Sequence, residues 1–438
     1  MRRRDALQLL AGGAASLALR PTWAAAATRP DDFFLFIHAG GGWDVTLWAD
    51  PRNERKGLIE PASPANTDTG GLAHWKPAGG SFEVVTPPGS SLRLGPAIGK
   101  LFDLRDRLTI VNGLAMNTVS HDDGTTFSTT GRHRSGGAAV AASIDVMLAS
   151  ELGAAQLMPD IAVRWPASYL GGQLDRRSVP LRVGSVDAIT KSFERSAEVL
   201  GTADRDAITA LVTDEARALA GREAHAPALD QLASQLQGLP PLIGGDFTKA
   251  FSPRQLQAAY PEFDYRGLHR NNVVAAPFAI EAFRRNIARC VGFGLGGFDT
   301  HTTNQRQHAR LLQELFDVIA AIVHRLDTTP HPTRQGTRLA ERTHILVVSE
   351  FCRTPQINPG GGRDHYPNNS ALIISPRLRP GVHGKTDPEQ LLPVAVRRFA
   401  DGERPIAPPD LLATYVAAFG IDPRRHLRDG EVVRELLA

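Results

Sequence analysis

Short apolar runs recur along the chain, each bounded by glycine or polar residues: Phe33 to His38, Leu108 to Val111, Ile161 to Val163, Val291 to Leu295, His344 to Val348 and Ala371 to Ile374. Continuous rather than alternating apolarity is the mark of strands buried on both faces. Between them the apolar spacing changes to a helical period over Gly137 to Leu152, Asp204 to Leu219, Ala228 to Leu236, Pro277 to Cys290 and Gln305 to Leu326. Strand alternating with helix predicts an α/β fold: a three-layer arrangement in which helices cover both faces of a mainly parallel central sheet. Pro51 to Gly89 and Thr328 to Gln335, rich in Gly, Pro or Thr, read as surface loops. The stretch from about Leu200 to Leu268 is polar and helical, a candidate cap or insertion. With no internal repeat and no evident linker, residues 28–438 are expected to form one domain.

The first 27 residues carry a different pattern. Arg2, Arg3 and Arg4 precede an apolar run from Leu7 to Leu19 that is broken by Gly12 and Gly13, and Ala24 to Ala27 follow. A basic start, a short apolar stretch and a small-residue zone make an export signal. Arg3-Arg4-Asp5-Ala6-Leu7 has the spacing of a twin-arginine leader, which addresses the chain to the twin-arginine export machinery and a periplasmic or secreted location. The run is shorter than the roughly 20 apolar residues a membrane span needs, so no stable membrane span is expected.

Composition narrows the partners. Lys and Arg number 49 against 46 Asp and Glu, and no basic stripe emerges, so nucleic acid is not an expected partner. The two cysteines, Cys290 and Cys352, could pair outside the cytoplasm, although two cysteines more often stay apart as small hydrophobes.

Candidate chemistry gathers at the carboxyl ends of the predicted strands, where open parallel sheets bind ligands. The first strand runs into Gly40-Gly41-Gly42-Trp43-Asp44. The strand at 291–295 runs into Gly296-Gly297-Phe298-Asp299-Thr300-His301, and that at 344–348 into Ser349-Glu350-Phe351-Cys352-Arg353. Gly360-Gly361-Gly362-Arg363-Asp364-His365 adjoins the next strand. Carboxylates gathered from several strands repel unless a cation lies among them. Asp44, Asp299, His301, Glu350, Asp364 and His365 are therefore candidate ligands for a divalent metal, with zinc, manganese and calcium all open. Arg353 and Arg363 supply positive charge or bind an anionic oxygen. His38 and His383 lie near the same edge.

These blocks, together with the leader and Gly384-Lys385-Thr386-Asp387, resemble the domain-of-unknown-function 1501 family across essentially the whole mature chain. That family is similar in fold to the alkaline phosphatase and sulfatase superfamily, whose chemistry is metal-assisted hydrolysis of phosphate or sulfate esters. The resemblance implies an alkaline-phosphatase-like sheet with a metal site at its carboxyl edge. Asp44 then resembles the first-strand metal aspartate, and Asp299 with His301 the later pair. Phe351 stands where a metal-ligating His is expected, which leaves a two-metal site short of a ligand. Thr130-Gly131-Arg132 resembles the end of the sulfatase nucleophile segment, and counting back places His121 at the nucleophile position, in a loop after a strand. A histidine there can bind metal, act as base or accept a phosphoryl group; Thr125 and Thr126 are alternative hydroxyls.

Two functions compete on this reading. One is an exported metal-dependent hydrolase of a small anionic phosphate or sulfate ester. The other is a periplasmic binding or assembly protein that kept the fold after losing the nucleophile, motivated by Phe351 and His121. An unrelated serine hydrolase is disfavoured because no Gly-x-Ser-x-Gly elbow occurs.

Overall fold

The computed structural model describes residues 31–438 apart from 64–71, 75–76, 79–80, 83, 154–155, 172 and most of 192–245. The expected leader, and most of the helical patterns over 204–219 and 228–236, lie outside the described residues.

The centre is an eight-stranded sheet of β1 (Phe33–Gly40), β2 (Leu108–Ala115), β3 (Asp160–Val163), β4 (Leu181–Val183), β5 (Cys290–Gly296), β6 (Thr343–Val348), β7 (Asn368–Ile374) and β8 (Gly381–Gly384). Across the sheet the order is β8-β2-β7-β6-β1-β5-β3-β4. In this sheet β7 alone runs against its neighbours β2 and β6; the others are parallel. All six predicted strands are present. The two edges, β4 and β8, were not foreseen: each is short and partly exposed, so neither carries the continuous apolar run of a buried strand.

The apolar runs are long because each face meets its own layer. Phe33, Leu35, Ile37 and Ala39 of β1 point to one side, into a core shared with α5 (Ala275–Arg284) and α6 (Asn304–Thr328). Phe34 and Phe36 point to the other, against α2 (Ile144–Leu152) and α7 (Pro408–Ala417). The intervening helices in chain order are α1 (His121–Thr130), which precedes α2, and α3 (Asp246–Phe251) and α4 (Pro253–Ala259), which precede α5. The architecture is thus α/β, with a mainly parallel sheet between helical layers.

Some boundaries differ from expectation for local reasons. The helix expected from Gly137 begins only at Ile144, because Gly136 and Gly137 take positive φ in a turn. The helix expected to end at Cys290 stops at Arg284; Asn286 turns left-handed, and Cys290 already belongs to β5. α7 was missed, although Pro408 at its start and Asp410, whose carboxylate accepts from Ala407 N at 2.9 Å, are ordinary helix-start signals. Cys290 and Cys352 are both free and buried. Among the described residues no helix is long and apolar enough to cross a membrane.

Candidate functional site

The parallel strands end on one edge, and the antiparallel β7 begins there. That is why residues after β1, β2, β5 and β6 meet residues just before β7. Close backbone approach makes the meeting possible. Gly41 has φ +118°, and a Cβ there would lie 2.4 Å from Asp299 N; a Cβ on Gly362 would lie 1.9 Å from the His301 carbonyl.

His121 opens α1, which corrects the expectation of a loop. Ser120 takes an extended N-cap conformation, Asp122 and Asp123 occupy the first turn, and left-handed Gly131 closes the helix. Its Thr-rich sequence hides the helix, but the hydroxyls return to the backbone: Thr126 Oγ1 donates to Asp122 O at 2.9 Å and Thr130 Oγ1 to Thr126 O at 2.7 Å.

Three imidazoles surround Asp299 Oδ1. The Nε2 atoms of His301, His365 and His121 lie 3.0, 3.3 and 3.4 Å from that oxygen. His301 Nε2 is also 3.0 Å from His365 Nε2. The ligand-type atoms of His121, Asp299 and His365 all fall within 4.8 Å of one another.

The other nitrogen of each ring is held by an acceptor. His121 Nδ1 is 2.8 Å from Glu350 Oε1, His301 Nδ1 is 2.7 Å from Asp364 Oδ1, and His365 Nδ1 is 2.8 Å from the Val119 carbonyl. Ionised carboxylates and carbonyls only accept, so each Nδ1 donates, and each neutral ring turns its Nε2 lone pair inward. The buried His121 Nε2 has no hydrogen-bond partner.

Around this cluster lies a frame of fixed charges. Arg353, fully buried, donates from Nη2 to Asp299 Oδ1 at 2.7 Å, from the same nitrogen to Gly41 O, and from Nε to Gly42 O at 2.8 Å. Burial works to raise the Asp299 carboxyl, but the Arg353 guanidinium holds it down at about 2. Glu350 Oε1 also accepts from Gly41 N at 2.7 Å, and Oε2 from Ser349 Oγ at 3.0 Å. Burial would raise Glu350 too, yet His121 and His38 keep it far below the carboxylate range. In return the hydrogen bond to Glu350 lifts His121 above its ordinary value, with burial opposing. Phe351 is buried against the rings, its centroid 4.9 Å from that of His121 and 4.4 Å from that of His365.

Of the sequence candidates, the structure gathers Asp299, His301 and His365 at the centre together with His121. It places Glu350, Asp364 and Arg353 behind them as partners of those side chains. Asp44 and Arg363 share no hydrogen bond with the cluster. They form a fully buried ion pair, Arg363 Nη1 to Asp44 Oδ2 at 3.1 Å, and Asp44 also accepts from Thr46 N at 3.0 Å and from Asn304 Nδ2 at 2.7 Å. Burial would raise the Asp44 carboxyl, but Arg363 keeps it low. His308 buttresses this pair: its Nε2 accepts from Asp44 N at 2.8 Å, and burial pushes the ring down to about 3, keeping it neutral. Neither the Thr125 nor the Thr126 hydroxyl shares a hydrogen bond with the cluster among the described residues. Cys352 is buried and its thiol pushed well up by that burial, which removes thiolate chemistry near neutral pH. His383 Nε2 pairs with Arg379 O at 3.0 Å, outside the cluster.

The model of a family described as "Protein of unknown function (DUF1501)" matches residues 34–431. No curated protein matches the chain. Among solved structures, Ps i-CgsB in complex with k-i-k-neocarrahexaose is similar at a TM-score of 0.37 and 10% identity, covering 92% of this chain and 75% of that one. A second structure of Ps i-CgsB gives the same TM-score at 11% identity, covering 91% of this chain and 75% of the other. Scores so low carry no argument for fold or chemistry.

Proposed function

Because the chain belongs to the DUF1501 family, whose description assigns no activity, we propose its function from the site itself: a metal-dependent hydrolase of a phosphate or sulfate ester, exported by its twin-arginine leader to the periplasm or beyond. The carrying observation is the convergence of three Nε2 lone pairs and one carboxylate oxygen, with every Nδ1 already held by an acceptor.

The donor set fits a divalent cation. Neighbouring ligand atoms around zinc, at bond lengths near 2.0–2.1 Å, sit about 3.3 Å apart in a tetrahedral shell. Asp299 Oδ1 lies 3.0–3.4 Å from the three ring nitrogens. His121, Asp299 and His365 form the core of the shell, and His301, whose Nε2 is 3.0 Å from both Asp299 Oδ1 and His365 Nε2, flanks it. Three nitrogens favour zinc or manganese; calcium takes oxygen ligands. A single ion is favoured over a pair, since the Phe351 ring fills the position where the resemblance expects another ligand.

An ion at this point supplies Lewis acidity to an ester oxygen and activates water for attack. The chain's own residues supply orientation. Glu350 and Asp364 fix the tautomers of His121 and His301, and Arg353 aims Asp299. The Asp299 and His301 side chains are 49% and 45% exposed, which leaves the centre open to a small anionic substrate. With neither the Thr125 nor the Thr126 hydroxyl bonded to the cluster among the described residues, water rather than a side chain is the nucleophile in this reading.

A second reading, a binding or assembly protein that holds the ion without turnover, draws on that same lack of a side-chain nucleophile. Screening aryl phosphate and aryl sulfate esters with the metal-loaded protein separates the two. Turnover that disappears in Asp299→Asn is the expected result. A metal-replete protein inert to both ester classes would overturn the hydrolase and leave the binding protein.

A further inference from the structure

Beside the histidine cluster, on the same sheet edge, a cleft of about 430 Å³ opens between the ends of β1, β3 and β5. Its walls include His38, Arg164, Asn271 and Asn272, and its floor is glycine backbone at Gly40 and Gly296. It adjoins the cluster through the chain: Gly40 precedes Gly41, whose N–H binds Glu350, and Gly297 lies two residues before Asp299.

Three features point to an anionic ligand. First, Arg164 is exposed and forms no ion pair among the described residues; its guanidinium donates only to the neutral Asn272 side chain. No carboxylate lines the cleft, so the charge faces it uncompensated. Second, Arg164 is held at φ +58°, a left-handed conformation that a non-glycine residue rarely adopts, immediately after β3. Strain of this kind persists where the surroundings over-determine a side chain's direction. Third, the floor is open at Gly296, where a Cβ would meet only Gly40 O, at 3.5 Å.

We propose that this cleft is an oxyanion subsite, in which Arg164 and the Asn271 and Asn272 amides hold a sulfate or phosphate group. The arginines first expected to neutralise substrate, Arg353 and Arg363, are fully buried and spent on Asp299 and Asp44, whereas Arg164 forms no ion pair among the described residues and is available to do so. Among the described residues Arg164 shares no hydrogen bond or ion pair with the cluster, so in this proposal the group it holds is a second anion of the ligand, separate from the ester being cleaved. The substrate class is therefore a molecule carrying at least two sulfate or phosphate groups. That the ligand is a substrate rests on the hydrolase reading above; the affinity of the cleft for an oxyanion does not.

The test is calorimetric titration of the folded protein with inorganic sulfate and, separately, inorganic phosphate. Wild type, Arg164→Gln, Asn272→Asp and Asp299→Asn are compared, with metal content measured on each. Losing a charge-assisted pair is expected to weaken binding by about tenfold or more in Arg164→Gln. Asn272→Asp, which keeps the arginine but sets a carboxylate against it, should weaken binding in the same direction. Asp299→Asn should leave the Arg164-dependent binding unchanged. Binding lost in Asp299→Asn but intact in Arg164→Gln would put the anion on the metal centre and overturn the subsite while supporting the metal reading. Arg164-dependent binding by a protein that takes up no metal would keep the subsite and remove the hydrolase. No binding by wild type overturns the subsite outright.

Discussion

His301 Nε2 faces His365 Nε2 at 3.0 Å while the opposite nitrogen of each ring is bound to an acceptor. Two lone pairs at that separation repel unless a proton or a cation lies with them. Asp299 Oδ1 lies within 3.0–3.3 Å of both nitrogens, and His121 Nε2 approaches the same oxygen to 3.4 Å. In this account the arrangement is a cation site, and the frame behind it keeps the donors aimed.

Glu350 acts on the centre only through His121 and the Gly41 backbone. Replacing it with Gln keeps the size but removes the charge that orients and strengthens the imidazole. Glu350→Gln should lower zinc affinity by about 10–100-fold, read by competition with a chromophoric chelator. Unchanged affinity would mean that His121 is not a ligand.

The Asp44–Arg363 pair is assigned here to stability. Both side chains are completely buried, so Asp44→Ala leaves an uncompensated guanidinium and should cost about 3–5 kcal/mol in denaturant unfolding. Arg363→Met in the same chain should recover much of that loss, because the orphaned charge goes with it. If Asp44→Ala instead kept its stability and lost metal, Asp44 would be a ligand after all.

Asp32 gives the fold a pH dependence of defined sign. Its buried carboxylate meets Arg342 Nη1 at 3.1 Å and Arg377 Nη2 at 2.9 Å. Burial works to raise it, but His344, Arg377 and Arg342 hold it at about 2 against an ordinary 3.8. A depressed carboxyl stabilises the folded state above its unfolded value, and the contribution fades as pH falls from 3.8 through about 2. The shift corresponds to about 2 kcal/mol. Asp32→Asn should therefore lose roughly that much at pH 7, and the gap to wild type should close at the acid end of that window. A gap that stays constant with pH would contradict the ion-pair account.

Gly41 tests the geometry of the frame. At φ +118°, a Cβ would press on Asp299 N at 2.4 Å, which a backbone atom cannot relieve by rotating away. Gly41→Ala should cost on the order of 1–3 kcal/mol from backbone strain alone, and should weaken metal binding as Asp299 shifts. Thermal melts with and without added zinc read both effects.

Much of this was legible in the sequence, for reasons the structure makes plain. Strands buried on both faces, such as Phe33–Gly40, cannot hide, because nearly every position must be apolar or small, His38 at the strand's carboxyl end being the exception. The edge strands Leu181–Val183 and Gly381–Gly384 face solvent and leave no such trace. Asp299, His301 and His365 were identifiable because loops at strand ends share one edge of a parallel sheet. His121 was singled out, but its helix was masked by hydroxyl side chains that bond back to the backbone. What spacing cannot reveal is which carboxylate meets which cation. Asp44 and Arg363 lie far apart in sequence, and their closed pairing, like the inward turn of Arg353, comes only from the packing. Arg164 carries no motif; its backbone conformation and its cleft are visible only in three dimensions.

In the proposed reading His121, Asp299 and His365, flanked by His301, hold one divalent metal. Elemental analysis of the folded protein tests it most directly, run beside Asp299→Asn and His365→Ala. The account predicts about one zinc or manganese per chain in wild type, lost in both variants while their folded spectra persist. No bound metal in wild type, even after loading with either ion, would contradict it.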